Sequence, residues 1–199
     1  MKTIAISILA LTVASPLLAQ ATKDTATVQA GSYKTDPNHA LVQFEVNHLG
    51  FTQFFGTFPA ATGTLSLDPK NIGASKLDVS VPVERVSTTN AKLDDELRSA
   101  DWFDAAKYPT IRFVSTKVTR TGPTTAKIAG TLTLHGVSKP FVLDASFIGA
   151  GPNPLSKAYT VGFKATGQIK RTEFGVSKYA PLVSDEVTIT IAAPFEKAN

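Results

Sequence analysis

Residues 76–84 read KLDVSVPVE, and this stretch decides the fold. Leu77, Val79, Val81 and Val83 alternate with Lys76, Asp78, Ser80, Pro82 and Glu84, so apolar and polar side chains fall on opposite faces of an extended chain. A helix would scatter the same valines around its circumference. Pro82 has no N–H for a ladder on the outer face, which demands an edge or a bulge there.

The same period of two recurs on either side. Val42, Phe44, Val46 and His48 share one face over 41–48, with Leu41, Gln43, Glu45 and Asn47 on the other. Further strands are expected near 57–67, 110–119, 125–135, 138–149, 158–170 and 185–197, which with the first two makes eight. Turn-forming runs such as Asp68-Pro69-Lys70-Asn71, Thr121-Gly122-Pro123 and His135-Gly136 separate them. Eight meandering strands of this length suit a small closed antiparallel barrel, and closure removes exposed edges. No glycine-rich phosphate loop, βαβ rhythm or internal repeat competes with this all-β reading.

One segment breaks the period. Residues 88–107, TTNAKLDDELRSADWFDAAK, place Leu93, Leu97 and Ala100 on one helical face. Thr89 or Asn90 serves as the cap, and Asp94, Asp95 and Glu96 complement the N-terminal dipole. A short helix between strands three and four is expected, followed by Trp102 and Phe103. The acidic residues read as its solvated face. A lesser helical turn is expected over 49–55, where Phe51, Phe54 and Phe55 crowd together.

The chain of 199 residues holds no cysteine, which excludes disulfides, thiolate metal sites and thiol catalysis. Twenty Lys and Arg against 16 Asp and Glu give a formal +4, but the basic residues form no run and mark no nucleic-acid partner. Residues 1–21, MKTIAISILALTVASPLLAQA, carry Lys2, then an uncharged run, then the small-x-small sequence Ala19-Gln20-Ala21. This reads as a cleaved export signal; an uncleaved N-terminal anchor is the alternative. Residues 22–30 read as a flexible leader, and 31–199 as the barrel domain.

Catalytic signals are sparse. His39, His48 and His135 are the three histidines, and no metal-ligand or nucleophile motif surrounds them. The residue signal is instead aromatic: 12 Phe, 4 Tyr and 1 Trp. Phe44, Phe113, Phe141, Phe147, Phe163 and Phe195 lie on strands. Val79, Val81, Ala145, Ala165 and Gly167 are small for a barrel interior and leave room for an aromatic-walled lumen.

The stretch DDELRSADWFDAAKYPTIRFVSTKV (94–118), with Asp36-Pro-Asn-His39, Val42-Gln-Phe-Glu-Val-Asn-His48 and Gly130-Thr-Leu-Thr-Leu-His-Gly136, closely resembles the YceI-like family. Gly162-Phe-Lys-Ala-Thr-Gly-Gln-Ile169 and Arg171-Thr-Glu-Phe-Gly175 look like its closing motifs, and the match runs from about Ser32 to Phe195. The resemblance implies a lipocalin-like eight-stranded barrel, periplasmic in Gram-negative bacteria. It holds a polyisoprenoid such as a prenyl quinone, or another long amphiphilic lipid, and has no established enzymatic activity or cofactor. It places Leu97-Arg98-Ser99 and Trp102-Phe103-Asp104 beside the pocket. Where many members show Arg-Asp-x-His-Leu, this chain has Leu93-Asp94-Asp95-Glu96-Leu97, an apolar and acidic entrance that suits a neutral quinone or amide head.

The candidate ligand wall is therefore Phe44, Val46, His48, Phe51, Phe54, Phe55 and Val81, then Leu97, Trp102, Phe103 and Phe113, with Leu134, Phe141, Phe163 and Ile169 deeper along the strands. Net transfer from bilayer to lumen is nearly balanced, which favours a shuttle with transient membrane contact. Two other readings stand beside it: a stress-related interaction module whose lumen is filled, and an enzyme using His48 or His135 on a lipid.

Overall fold

The computed structural model describes residues 21–198, so the expected export signal lies outside the described residues but for Ala21. The strands are β1 (Gly31–Thr35), β2 (Leu41–His48), β3 (Thr52–Pro59), β4 (Thr62–Leu67), β5 (Lys76–Pro82), β6 (Thr110–Arg120), β7 (Thr125–Leu134), β8 (Val137–Pro152), β9 (Tyr159–Lys170) and β10 (Glu186–Lys197). The one α-helix among the described residues, α1 (Ala91–Arg98), stands between β5 and β6.

These ten strands make eight staves. β10 pairs with β9 along one edge and carries two strands end to end along the other. β1 lies opposite 195–197 and β2 opposite 188–192. They are halves of one stave, interrupted by the turn at 36–40. β3 pairs with β2, and β4 with β1, as halves of the second stave. The remaining pairings run in chain order from β4 to β10, all antiparallel, and close the barrel. This is the eight-stranded antiparallel barrel that the alternation predicts, with its helix between the third and fourth staves.

Pro82 and Pro194 fall where one edge of their strand lacks a continuous partner. Pro194 of β10 faces the break between β1 and β2, and its carbonyl accepts from the Asp36 amide at 3.1 Å. Pro82 lies beyond Ser80, the last β5 residue paired with β4. Past that point β5 and β3 diverge. A single bridge between Thr57 and Ser87 spans the gap, and α1 covers it. Arg98 anchors the helix by donating to the carbonyls of Glu84 and Val86 at 3.2 and 3.4 Å.

Three sequence expectations are corrected. β1 was not expected as a strand, because its five residues are too few to display a period. The leader at 22–30 lies along the barrel instead of hanging free. Thr22 bridges Ala150, Val28 packs beside Tyr33 and Phe195, and the Thr27 carbonyl accepts from the Tyr159 hydroxyl at 3.3 Å. The turn expected to be helical at 49–55 is a hairpin. Leu49 and Gly50 both take positive φ, 57° and 76°, reversing the chain so that His48 pairs with Thr52.

Glycines on the strands let aromatic rings lie flat across their neighbours. A Cβ at Gly56 would fall within the ring of Phe44, its cross-strand partner. A Cβ at Gly167 would meet the ring of Phe141, and one at Gly130 that of Phe113. These notches fix three aromatic walls of the interior against the backbone. Gly56→Ala is expected to destabilise the fold by about 1–3 kcal/mol through overpacking. Gly73→Ala, whose Cβ would meet nothing closer than 3.6 Å, should change stability little. Urea unfolding midpoints compare the two.

Candidate functional site

The inward faces do not fill the barrel. A cavity of about 380 Å³ occupies the end beneath α1. β2 supplies Val42, Phe44, Val46 and His48 to its wall, and β3 supplies Phe54 and Phe58. α1 and the turn after it supply Leu93, Glu96, Leu97, Trp102 and Phe103. Val81, Phe113, Leu134, Phe141 and Ile169 line it from the remaining staves.

Three residues expected on this wall lie elsewhere. Phe51, at the tip of the β2–β3 hairpin, is 89% exposed. Phe55 pairs with Glu45 on the outer face and is 49% exposed. The hairpin's register sends Phe54 inward and therefore Phe55 outward. Phe163 lies inside the barrel, but in a second chamber of about 170 Å³ at the opposite end, near Phe147 and Phe195.

The wall also includes residues that the sequence reading did not assign to it. Val42, Val79, Ile111, Leu132 and Leu143 occupy the same inward phase as assigned residues of their strands, and Val187, Ile189 and Ile191 form the inward face of β10, from which none was assigned. Strict use of the period would have found them. Arg171, Val176, Tyr179 and Val183 come from the irregular segment between β9 and β10, where no period exists to read.

Arg171 organises that segment. Its side chain is 5% exposed. Nε donates to the Ser184 carbonyl at 2.9 Å, Nη1 to those of Val176 and Lys178 at 2.7 and 3.0 Å, and Nη2 to that of Val183 at 2.7 Å. Burial draws its pKa below the usual arginine value. A planar fork of donors can gather four carbonyls from one loop, which a lysine cannot. The guanidinium also lies 5.6 Å from the centre of the Trp102 ring, whose other neighbour is Tyr179 at 6.0 Å.

The acidic residues of α1 form more than the solvated face expected. Asp94 turns inward and accepts from the amide and hydroxyl of Thr88 at 2.6 and 2.7 Å, while Asn90 caps the helix through the Leu93 amide. Glu96 faces the cavity. Its Oε1 accepts from Trp102 Nε1 at 3.2 Å and lies 3.4 Å from Lys178 Nζ. Lys178 donates to Asp101 at 2.9 Å. The cations nearest the entrance thus already have partners within the protein.

The histidines are dispersed. His39 pairs with Asp36 on an exposed turn, and His135 meets the Phe174 carbonyl and the Tyr108 ring. His48 stands at the cavity end, 6.0 Å from Phe54 between ring centres. Among the described residues, no group of three or more His, Cys, Asp and Glu side chains could hold a metal. Around the entrance Leu49, Phe51, Tyr179 and Leu182 are exposed. The Leu49 amide donates to the Leu182 carbonyl at 2.9 Å, joining their two loops.

Comparison with known proteins agrees with this geometry. A family model described as the YceI-like domain matches residues 33–195. Protein YceI of Escherichia coli O157:H7 is 40% identical over 165 residues, covering 82% of this chain and 85% of its own. The crystal structure of a Campylobacter jejuni YCEI protein superposes with a TM-score of 0.68 at 29% identity, covering 90% of this chain and 99% of its own. A polyisoprenoid binding domain from Saccharophagus degradans, implicated in plant cell wall breakdown, shares the fold at 14% identity. Its TM-score is 0.62, over 85% of this chain and 100% of its own.

Two outcomes follow from the Arg171 loop. Arg171→Met leaves four carbonyls without their donor and should cost at least about 3 kcal/mol, with Arg171→Lys recovering little of it; denaturant midpoints measure both. The Thr172 amide, donating to Asp185 at 2.9 Å, holds that carboxyl below its usual pKa. Its stabilisation is present above the unfolded-state value and lost as pH falls through the folded one. Asp185→Asn should therefore be less stable than wild type near pH 7, and the difference should shrink towards about pH 3.

Proposed function

The chain belongs to the YceI-like family, and from that premise we propose that it is an exported, periplasmic carrier of a polyisoprenoid or similar long amphiphilic lipid. The single observation that carries this reading is the apolar cavity of about 380 Å³ left open inside the barrel. Pockets for small amphiphiles are of this order and largely apolar, with a few polar groups at one end. Here those groups are Glu96, His48 and Tyr179. The hydrocarbon chain lies along Phe44, Phe113 and Phe141, with the head at the α1 end.

The head is neutral, as in a prenyl quinone or an amide. Arg171 is committed to four carbonyls and Lys178 to two carboxylates. An anionic head would have to displace Glu96 or Asp101 from Lys178, or a carbonyl from Arg171.

Energetics favour exchange over sequestration. A forty-carbon tail moved from water into the lumen would gain on the order of 30 kcal/mol, beyond the roughly 20 kcal/mol at which non-covalent affinities saturate. The tail starts in a bilayer as apolar as the barrel, so the net transfer free energy is small. The protein then works as a shuttle that meets the membrane transiently through the exposed Leu49, Phe51, Tyr179 and Leu182 around the entrance.

Mass spectrometry of an organic extract of the periplasmic protein should recover a long-chain amphiphile in near-equimolar amount. Protein that is ligand-free and takes up neither ubiquinone nor a fatty amide contradicts the carrier. Phe51→Ser combined with Leu182→Ser should slow ubiquinone transfer between donor and acceptor vesicles while leaving the amount bound at equilibrium unchanged.

A further inference from the structure

Five residues lining the cavity beneath α1 carry a nitrogen or oxygen in the side chain: His48, Glu96, Trp102, Arg171 and Tyr179. What each can still offer a head group decides which head fits. Arg171 spends four of its five N–H groups on the carbonyls of its own loop. Trp102 has a single N–H, and Glu96 Oε1 takes it at 3.2 Å. His48 and Tyr179 stand exposed at the cavity end. An imidazole or a phenol both donates and accepts, so neither distinguishes one neutral head from another.

Glu96 is the exception. In its ion pair with Lys178 it is a carboxylate, which accepts and never donates. Oε1 faces both Trp102 Nε1 and Lys178 Nζ, the latter at 3.4 Å. Among the described residues no donor reaches Oε2. The side chain is therefore tethered at one oxygen and open at the other, beside an otherwise apolar lumen. At 38% exposure it is solvated until a head arrives. A head without a donor would strip that water and leave Oε2 unpaired.

We infer that Glu96 selects the lipid by its hydrogen-bond donor. The lumen favours a head with an N–H or O–H, such as a primary amide, an alcohol or a hydroquinone, over an acceptor-only head such as an ester, an ether or a quinone. This rests on the carrier reading above and narrows its neutral head to one that donates. For a prenyl quinone the consequence is a preference for the reduced form of the same molecule, because reduction turns its ring carbonyls into hydroxyls. A hydrogen bond to a charged acceptor is worth about tenfold or more in affinity.

Lipid pairs that share one tail and differ in the head measure this selection. Oleamide is compared with methyl oleate, and decylubiquinol, handled under argon, with decylubiquinone. Each is presented in detergent micelles and measured as lipid retained by the protein. Wild type should retain the donating member of each pair about tenfold better. Glu96→Leu should remove the preference in both pairs. Glu96→Gln, whose carboxamide donates as well as accepts, should narrow it mainly by retaining more methyl oleate. If Glu96→Leu does not fold, wild type and Glu96→Gln decide the matter. Variants that lose both members of a pair alike, keeping the wild-type preference, make Glu96 a structural residue and overturn the selection. Equal retention of both members by wild type also overturns it and leaves the carrier intact. Wild-type protein that retains no member of either pair overturns the carrier reading, and the head selection with it.

Discussion

The pairing of one strand, β10, with two others along a single edge is the constraint on which the rest of the molecule depends. Phe195 opposite Thr35 and Ile191 opposite Val42 hold β1 and β2 in line. Without that continuity the sheet would end at β10 and expose a long apolar edge. With it the sheet closes, and closure fixes an inside. Every second residue of the staves then faces the barrel interior. Because the chain contains no cysteine, no disulfide supports this closure. Ladder hydrogen bonds and the apolar interior carry it.

The same closure explains why the interior is hollow at the two ends. The aromatic rings of Phe44, Phe113 and Phe141 do not crowd the axis, because Gly56, Gly130 and Gly167 let them lie against the backbone of neighbouring strands. Space left along the axis forms two chambers. The break in the first two staves opens the gap between β3 and β5 that α1 covers. α1 in turn brings Glu96, Leu97 and Trp102 to the entrance, where the Arg171 loop meets them. Stability and binding thus draw on one set of side chains.

The staves were legible in the sequence over β2 and from β5 onward, where a period shows, whereas the single strand expected at 57–67 joins the end of β3 to β4 across a break at 60–61. KLDVSVPVE and the Val42–His48 alternation sufficed for the barrel, and Leu93 with Leu97 sufficed for the helix. β1 was too short, and a clustered Phe51-Thr-Gln-Phe54-Phe55 resembled a helical face until the positive φ at Leu49 and Gly50 set its register. The inward wall of the cavity was readable by phase, which is why Phe44, Val81, Phe113 and Phe141 stand where alternation placed them. Arg171 was not readable as an organiser. Its role comes from backbone carbonyls of a loop, and carbonyls leave no trace in side-chain pattern. The acidic run of α1 misled for a related reason: composition shows charge but not which carboxylate, such as Asp94 or Glu96, turns inward.

Trp102 is the single tryptophan of the chain and stands on the cavity wall, 8% exposed. Its fluorescence therefore reports what enters the lumen without any added label. Titration of lipid-stripped protein with ubiquinone, with the emission of Trp102 as readout, tests the central claim most directly. The account predicts saturable quenching that levels near one quinone per chain and is reversed by competition with an unlabelled fatty amide. Emission that stays constant, or that falls linearly without saturation, would contradict it.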